Sequence, residues 1–233
     1  MSERANDFVL VHGAWCTGWV WEGLVERLEK AGQRVSVVEL PSSGTDPAAL
    51  GDLAGDAELV RGVLDRLDGP VVLVGHSYGG MVITELAAHP KVRHSVYVTA
   101  FWPDRGQSLL NLLGDPEQLV EWIVPRNDGT SEITSDLDIA RAAVCADLDP
   151  DRGREFLSHT VLQSLAAFVA PSTAPEREHP TTFVVTTQEP DDAIAVTLQE
   201  RMAAKADNVI RLASAHMVQL SHPDELAEAL LGV

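Results

Sequence analysis

Apolar residues follow two alternating rhythms along much of this chain. Phe8-Val9-Leu10-Val11 is a continuous apolar run of the kind covered on both faces of a sheet, and Val20, Trp21, Leu24, Val25 and Leu28 then recur at helical spacing until Gly32. Residues 34–40 read as a second strand, 41–47 as a turn-rich loop, and Leu53, Ala57, Val60, Leu64 and Leu67 mark an amphipathic helix over 52–67. Val71-Val72-Leu73-Val74 is the third strand. A helical pattern follows over 81–88 until Pro90 ends it, and residues 94–100 form the fourth strand. The same alternation returns late in the chain, with strands at 181–187 and 208–213 around a helix at 193–204. A closing helix carries Pro223 in its first turn. Strands alternating with helices at this spacing predict one α/β domain, a parallel sheet with helices on both faces.

Between residues 101 and 180 the rhythm breaks. Helical patterns occur at 109–113, 119–124, 139–146 and 156–168, with no clear strand among them. This predicts a helical cap (101–180) inserted into a core made of 1–100 and 181–233. Its apolar residues, Leu110, Ile123, Phe156 and Leu165 among them, are expected to serve chiefly as packing. Collectively a cap over the sheet's carboxyl edge would enclose an apolar cavity. Trp102, Trp122, Leu162 and Phe168 from the cap, with Met217 from the last loop, are its candidate lining.

The chemistry centres on Gly75-His76-Ser77-Tyr78-Gly79-Gly80, a G-x-S-x-G pattern that follows a strand and opens a helix. A serine on so tight a turn needs neighbours nearly free of side chain, and Gly75 and Gly79 fill those positions. A serine hydroxyl is a weak nucleophile at neutral pH, so it needs a base and a third group that orients the base. Ser77, an acid in 189–192 and His216 follow in the order nucleophile, acid, histidine, each just after a predicted strand and hence at one edge of the sheet. Asp191 is the preferred acid, with Glu189 and Asp192 as alternatives. His89, His94, His159 and His179 fall at helix ends, a strand start or the cap, and His222 begins the last helix. His12 and His76 adjoin the site in supporting roles. For the oxyanion, the backbone N–H groups of Tyr78, which follows the nucleophile, and Ala14, in the loop after the first strand, are the expected donors.

Charge narrows the substrate. The 233 residues carry 35 acidic and 17 basic side chains, a formal charge of −18, which disfavours nucleic acid, anionic membranes and polyanionic substrates. A neutral or cationic small molecule with an apolar or aromatic part suits both this charge and the cavity. Cys16 and Cys145 form neither a disulfide framework nor a metal-ligand spacing. The polar first residues carry no secretory pattern, and no apolar run reaches a membrane-spanning length, so the cytoplasm is the expected location.

Several motifs together resemble the small α/β hydrolases of the plant methylesterase and hydroxynitrile lyase type and their bacterial esterase relatives. They are His12-Gly13-Ala14-Trp15 with Trp19 and Trp21, Ser43-Gly44-Thr45-Asp46, the Ser77 pentapeptide, and His216-Met217 ahead of Leu220-Ser221 and Pro223. The resemblance covers both sheet halves and is faint in the cap. It implies an α/β-hydrolase fold with a six-stranded, largely parallel sheet under a mobile helical cap, no cofactor, and hydrolysis of small esters. It also implies that the acid precedes a segment like Ala193-Ile194-Ala195, which supports Asp191; about two extra residues around Pro190 depart from the pattern and keep Glu189 and Asp192 open. The lyase branch has a threonine after the first-strand histidine and a lysine after the catalytic one; Gly13 and Met217 stand there instead, which favours hydrolysis.

The leading expectation is a carboxylic-ester hydrolase acting through an acyl-enzyme. A lyase or cyclase using the same serine and histidine for proton transfer is the alternative, and a ligand-binding protein without turnover a third. An imidazole base predicts activity rising with pH through about neutral.

Overall fold

The computed structural model describes residues 6–114, 121–188 and 193–233. In chain order its strands are β1 (Asp7–Val11), β2 (Arg34–Val38), β3 (Ser43–Gly44), β4 (Val71–His76), β5 (Val92–Val98), β6 (Ile123–Pro125), β7 (Thr130–Ile133), β8 (Leu162–Ser164), β9 (Thr181–Thr186) and β10 (Asn208–Leu212). Six of them make one parallel sheet in the order β10-β9-β5-β4-β1-β2. The three apolar runs that lack alternation, β1, β4 and β9, are buried along their whole length, as residues flanked by neighbours on both faces must be. Helix Glu22–Lys30 packs against the closing helix Pro223–Leu231, and helix Leu53–Arg66 against the short helix Gly79–Thr84 that follows β4. The chain steps from β1 out to β2 and then back across to β4. Right-handed crossovers in opposite directions place successive helices on opposite faces and leave a crevice between β1 and β4.

Register aligns the carboxyl ends. Val11 lies beside Gly75, His76 beside Val98, Val98 beside Val184, and Leu212 beside Thr186. The residues that follow each strand therefore emerge at one rim.

The stretch between 101 and 180 is not purely helical. Helices Leu109–Leu113, Leu137–Val144, Pro150–Ser158 and Ala166–Val169 are joined by β6, β7 and β8, which with β3 build an antiparallel sheet of order β3-β8-β7-β6. Two expectations are corrected by this. Of the helix expected at 119–124, residues 119 and 120 lie outside the described residues, 121 and 122 form a turn and Ile123–Pro125 a strand; the one expected at 156–168 is interrupted by β8. Strands of three or four residues are too short to show a period of two; β6 and β7 form a local hairpin, whereas β8 finds its partners far away in sequence, at Ser43–Gly44 and Thr130–Ser131. Two of these helices begin where a carboxylate caps free N–H groups: Asp136 accepts from Asp138 and Ile139, and Asp149 from Asp151 and Arg152. Among the described residues no helix is long and apolar enough to cross a membrane.

Candidate active site

Three non-glycine residues have left-handed backbone among the described residues, Trp15 (φ 58°), Ser77 (φ 53°) and Thr99 (φ 37°), and all follow strands that end at the same rim. Such geometry is costly for a residue bearing a Cβ and persists where surroundings impose it. At Ser77 the imposition is visible. A Cβ on Gly75 would come to 2.6 Å from the Gly79 carbonyl oxygen, one on Gly79 to 2.5 Å from that of Val11, and one on Gly80 to 2.3 Å from that of Phe101. The turn is thus wedged between β1 and the exit of β5, and the Phe101 N–H donates to the Ser77 carbonyl at 3.0 Å.

Gly13 is equally close. Its Cβ would lie 2.9 Å from both the Ser77 Cβ and His76 Nδ1, so the loop after β1 can approach the serine only without a side chain. This brings Ala14 and Tyr78 to the cavity around Ser77, and among the described residues neither backbone N–H donates to a partner. The Tyr78 side chain is anchored away from that backbone. Its hydroxyl donates to Asp56 Oδ2 at 2.6 Å, and the Ser42 N–H donates to Oδ1 at 2.9 Å. Burial raises the Asp56 carboxyl above its ordinary range, with those bonds opposing. Asp56 falls on the apolar stripe of its helix, between Leu53 and Val60, and that phase was the available signal for it.

His216 reaches the cavity from the loop after β10 and is buried. His76 holds it through the backbone: His76 Nε2–H donates to the His216 carbonyl at 3.0 Å, with ring centroids 4.8 Å apart. Burial keeps His76 neutral by lowering its pKa well below the usual histidine value. His12 is likewise neutral and has a fixed tautomer. Its Nδ1–H donates to the Gly13 carbonyl at 2.8 Å and its Nε2 accepts from the Leu40 N–H at 3.1 Å, while burial lowers its pKa. His216 Nδ1 stands 3.3 Å from Thr99 Oγ1. The acid candidates Asp191, Glu189 and Asp192 lie outside the described residues.

The remaining histidines have local partners. His89 pairs with Asp65, His94 with Thr182 and His179 with Ser95, and His159 stacks on Trp19 at 4.1 Å. His222 meets Ser221 and Asp147. Asp147 itself is a finding that no local pattern announced. Its carboxylate, buried behind helix Leu137–Val144, accepts from the Ala215 N–H at 2.9 Å and the Ser214 hydroxyl at 3.1 Å, tying the inserted segment to the loop that carries His216.

The cavity over Ser77 holds about 360 Å³. Of the expected lining, Trp122, Phe168 and Met217 are there; Trp102 and Leu162 are not. Phe101 faces the cavity, while Trp102 stacks on Tyr97 at 4.2 Å in a separate groove between the cations of Arg177 and Lys205. Leu162 lies in β8 opposite Gly44. Trp15, which the expected lining does not include, packs edge-on against Trp122 (5.3 Å) and Phe168 (5.5 Å) and donates its indole N–H to Ser131 of β7. Its place directly after Gly13-Ala14 was the available clue. Cys16 also lines the cavity, but burial pushes its thiol up to about 12, which removes it as a competing nucleophile.

The described α/β hydrolase family model matches residues 8–229. Over 113 residues the chain is 42% identical to a carbendazim hydrolyzing esterase of Nocardioides sp. (strain SG-4G), covering 46% of this chain and 47% of that protein. It is 39% identical over 110 residues to an α-hydroxynitrile lyase of Arabidopsis thaliana, covering 44% and 42%. The chain thus spans about half the length of the curated relatives it matches. In three dimensions it superposes on a pyrethroid hydrolase from Sphingobium faniae JZ-2 with a TM-score of 0.85 and 26% identity, over 98% of this chain and 97% of that one. Fold, rim and family model agree: the chain belongs to the α/β hydrolase family.

Proposed function

We propose that the protein is a serine hydrolase that cleaves small carboxylic esters through an acyl-enzyme. The observation that carries this reading is Ser77, held at φ 53° at the end of β4 and facing the same cavity as His216. In the proposed cycle His216 takes the Ser77 hydroxyl proton as the oxygen attacks the ester carbonyl, then gives it to the departing alcohol. Water, activated by the same imidazole, releases the acid. The Ala14 and Tyr78 N–H groups receive the oxyanion, at no cost of reorganisation because the wedged glycines hold both loops in place. Asp191 orients His216, with Glu189 and Asp192 as the other candidates on that loop.

The apolar, aromatic lining and the net charge of −18 favour a neutral ester with an apolar or aromatic part. Relatives named for hydrolysis of carbendazim and of pyrethroids are consistent with that class. Cyanohydrin cleavage is disfavoured by the same geometry: a side chain at Gly13 would strike Ser77, and Met217 supplies no cation. The inserted segment 101–180 acts as the cap, and the enzyme works in the cytoplasm without a cofactor. A fluorophosphonate probe followed by peptide mapping tests nucleophile activation with no knowledge of the substrate. Labelling at Ser77, with p-nitrophenyl acetate turnover lost in Ser77→Ala, is the expected result; turnover unchanged in that variant refutes the assignment.

A further inference from the structure

Of the three left-handed residues at the rim, Ser77 and Trp15 face the cavity, and Thr99 is the one whose strain the proposed cycle leaves unexplained. Its geometry has a local origin. The Thr99 N–H donates to Val184 of β9 at 2.8 Å, whereas two residues later the Phe101 N–H donates to the Ser77 carbonyl, so the chain must swing from the sheet to the elbow within that interval. Glycine would make this turn without strain. A β-branched residue there is a conspicuous outlier, and it is wholly buried.

The threonine hydroxyl is anchored from behind. Gln199 has its amide orientation set by two backbone groups: Oε1 accepts from the Thr186 N–H at 3.0 Å, and Nε2 donates to the Ile194 carbonyl at 2.9 Å. Nε2 also donates to Thr186 Oγ1 at 3.2 Å, and Thr186 Oγ1–H donates to Thr99 Oγ1 at 3.1 Å. Thr99 Oγ1 then stands 3.3 Å from His216 Nδ1. The line of donors thus reaches an oxygen that faces His216 Nδ1 and accepts from it when the ring carries its proton on that nitrogen.

We propose, resting on the hydrolase reading above, that Thr99 is a positioning residue for His216. Its oxygen gives Nδ1–H an acceptor in addition to the acid of the 189–192 loop. When the Ser77 proton moves to Nε2 the ring becomes an imidazolium, and Thr99 Oγ1 stabilises that charge while holding the ring plane toward the serine. The proton leaves Nε2 for the alcohol in the next step, and Thr99 exchanges none. Other titratable groups around His216 among the described residues are His76, bonded to its carbonyl, and Asp147, bonded to the Ala215 N–H with His222 against it. None of these is altered by substitution at 99.

The test compares T99V, which keeps the shape and loses the oxygen, T99G, which loses the oxygen and relieves the strain, and T99S, which returns the oxygen. With p-nitrophenyl acetate, T99V and T99G should lower kcat about tenfold, with KM within a factor of about two. The acid limb of kcat/KM should move to lower pH by roughly half to one unit, because a lost acceptor favours the neutral ring. T99S should restore both readouts. Because T99G removes strain, it keeps the test open even if T99V fails to fold. Wild-type pH profiles in T99V and T99G, or a loss confined to KM, overturns the role of Thr99. If Ser77→Ala leaves wild-type turnover intact, the hydrolase reading itself has failed, whatever Thr99 does.

Discussion

The core rim and the inserted segment differ in how they specify position. Around Ser77 the backbone is fixed by contact: side chains at Gly13, Gly75, Gly79 and Gly80 would all fall within 3.0 Å of another atom. In the inserted segment Gly114 and Gly129 also have left-handed backbone, φ 95° and 82°, yet a Cβ at either would meet nothing within 4 Å. The same residue type serves close approach in one region and, at these two positions, a turn in the other; Gly153 of the inserted segment meets only the flexible side chain of Arg141. Chemistry that needs atoms placed to a few tenths of an ångström belongs with the first kind of structure; accommodation of a substrate belongs with the second.

That contrast is broken or sharpened by substitution. The largest effect is expected at the proposed reacting groups: Ser77→Ala or His216→Ala should lower kcat/KM at least about 10³-fold for every ester tried, measured by single-turnover kinetics. Equal loss from a change in the inserted segment would erase the distinction. Next, Gly79→Ala should destabilise the fold by roughly 2–4 kcal/mol in urea unfolding, since the new methyl meets the Val11 carbonyl, whereas Gly129→Ala should cost about 1–2 kcal/mol for left-handed backbone alone.

Specificity should separate the regions further. Phe168→Ala and Trp122→Ala open the aromatic cluster around Trp15, and should lower kcat/KM for an aromatic ester by roughly 10- to 100-fold while changing acetate turnover only a few-fold. Uniform loss on both esters would place these rings in the machinery instead. The smallest effect concerns acid. His12, His76, His94 and His179 have pKa values lowered chiefly by burial, that of His179 to about 4. Below the unfolded histidine value of about 6.5 the unfolded chain binds protons that the folded chain refuses, so stability is complete above that pH and is lost as pH falls toward the lowered values. The slope should not exceed about 1.4 kcal/mol per pH unit for each histidine. Urea unfolding between pH 7.5 and 4.5 reads it, and a flat series would mean these rings are not held neutral.

How much of this was legible beforehand differs by region for the same reason. The apolar runs within β1, β4 and β9 carry their own evidence, since strands buried on both faces are dominated by apolar and β-branched residues. The strand β8 does not: Leu162-Gln163-Ser164 exists because Gly44 and Ser43 lie on one side of it and Thr130 and Ser131 on the other. Phe101 and Trp102 make the point within two residues. Both are large aromatic side chains at the start of the inserted segment, and only the path of the chain decides that one faces the cavity and its neighbour the cationic groove.

By itself the sequence determined the α/β alternation, the glycine-flanked serine between strand and helix, and the histidine that follows the last strand, because each is written in spacing and residue type within a short window. Tertiary structure alone decided that β3 joins a second sheet with β6, β7 and β8, that Asp147 secures the His216 loop, and that Thr99 meets the imidazole. Apart from the β6–β7 hairpin, those contacts link residues dozens of positions apart. A hydrogen bond or a strand pair at that separation depends on where the chain has been carried by everything between, and no local pattern of hydrophobic and polar residues encodes it.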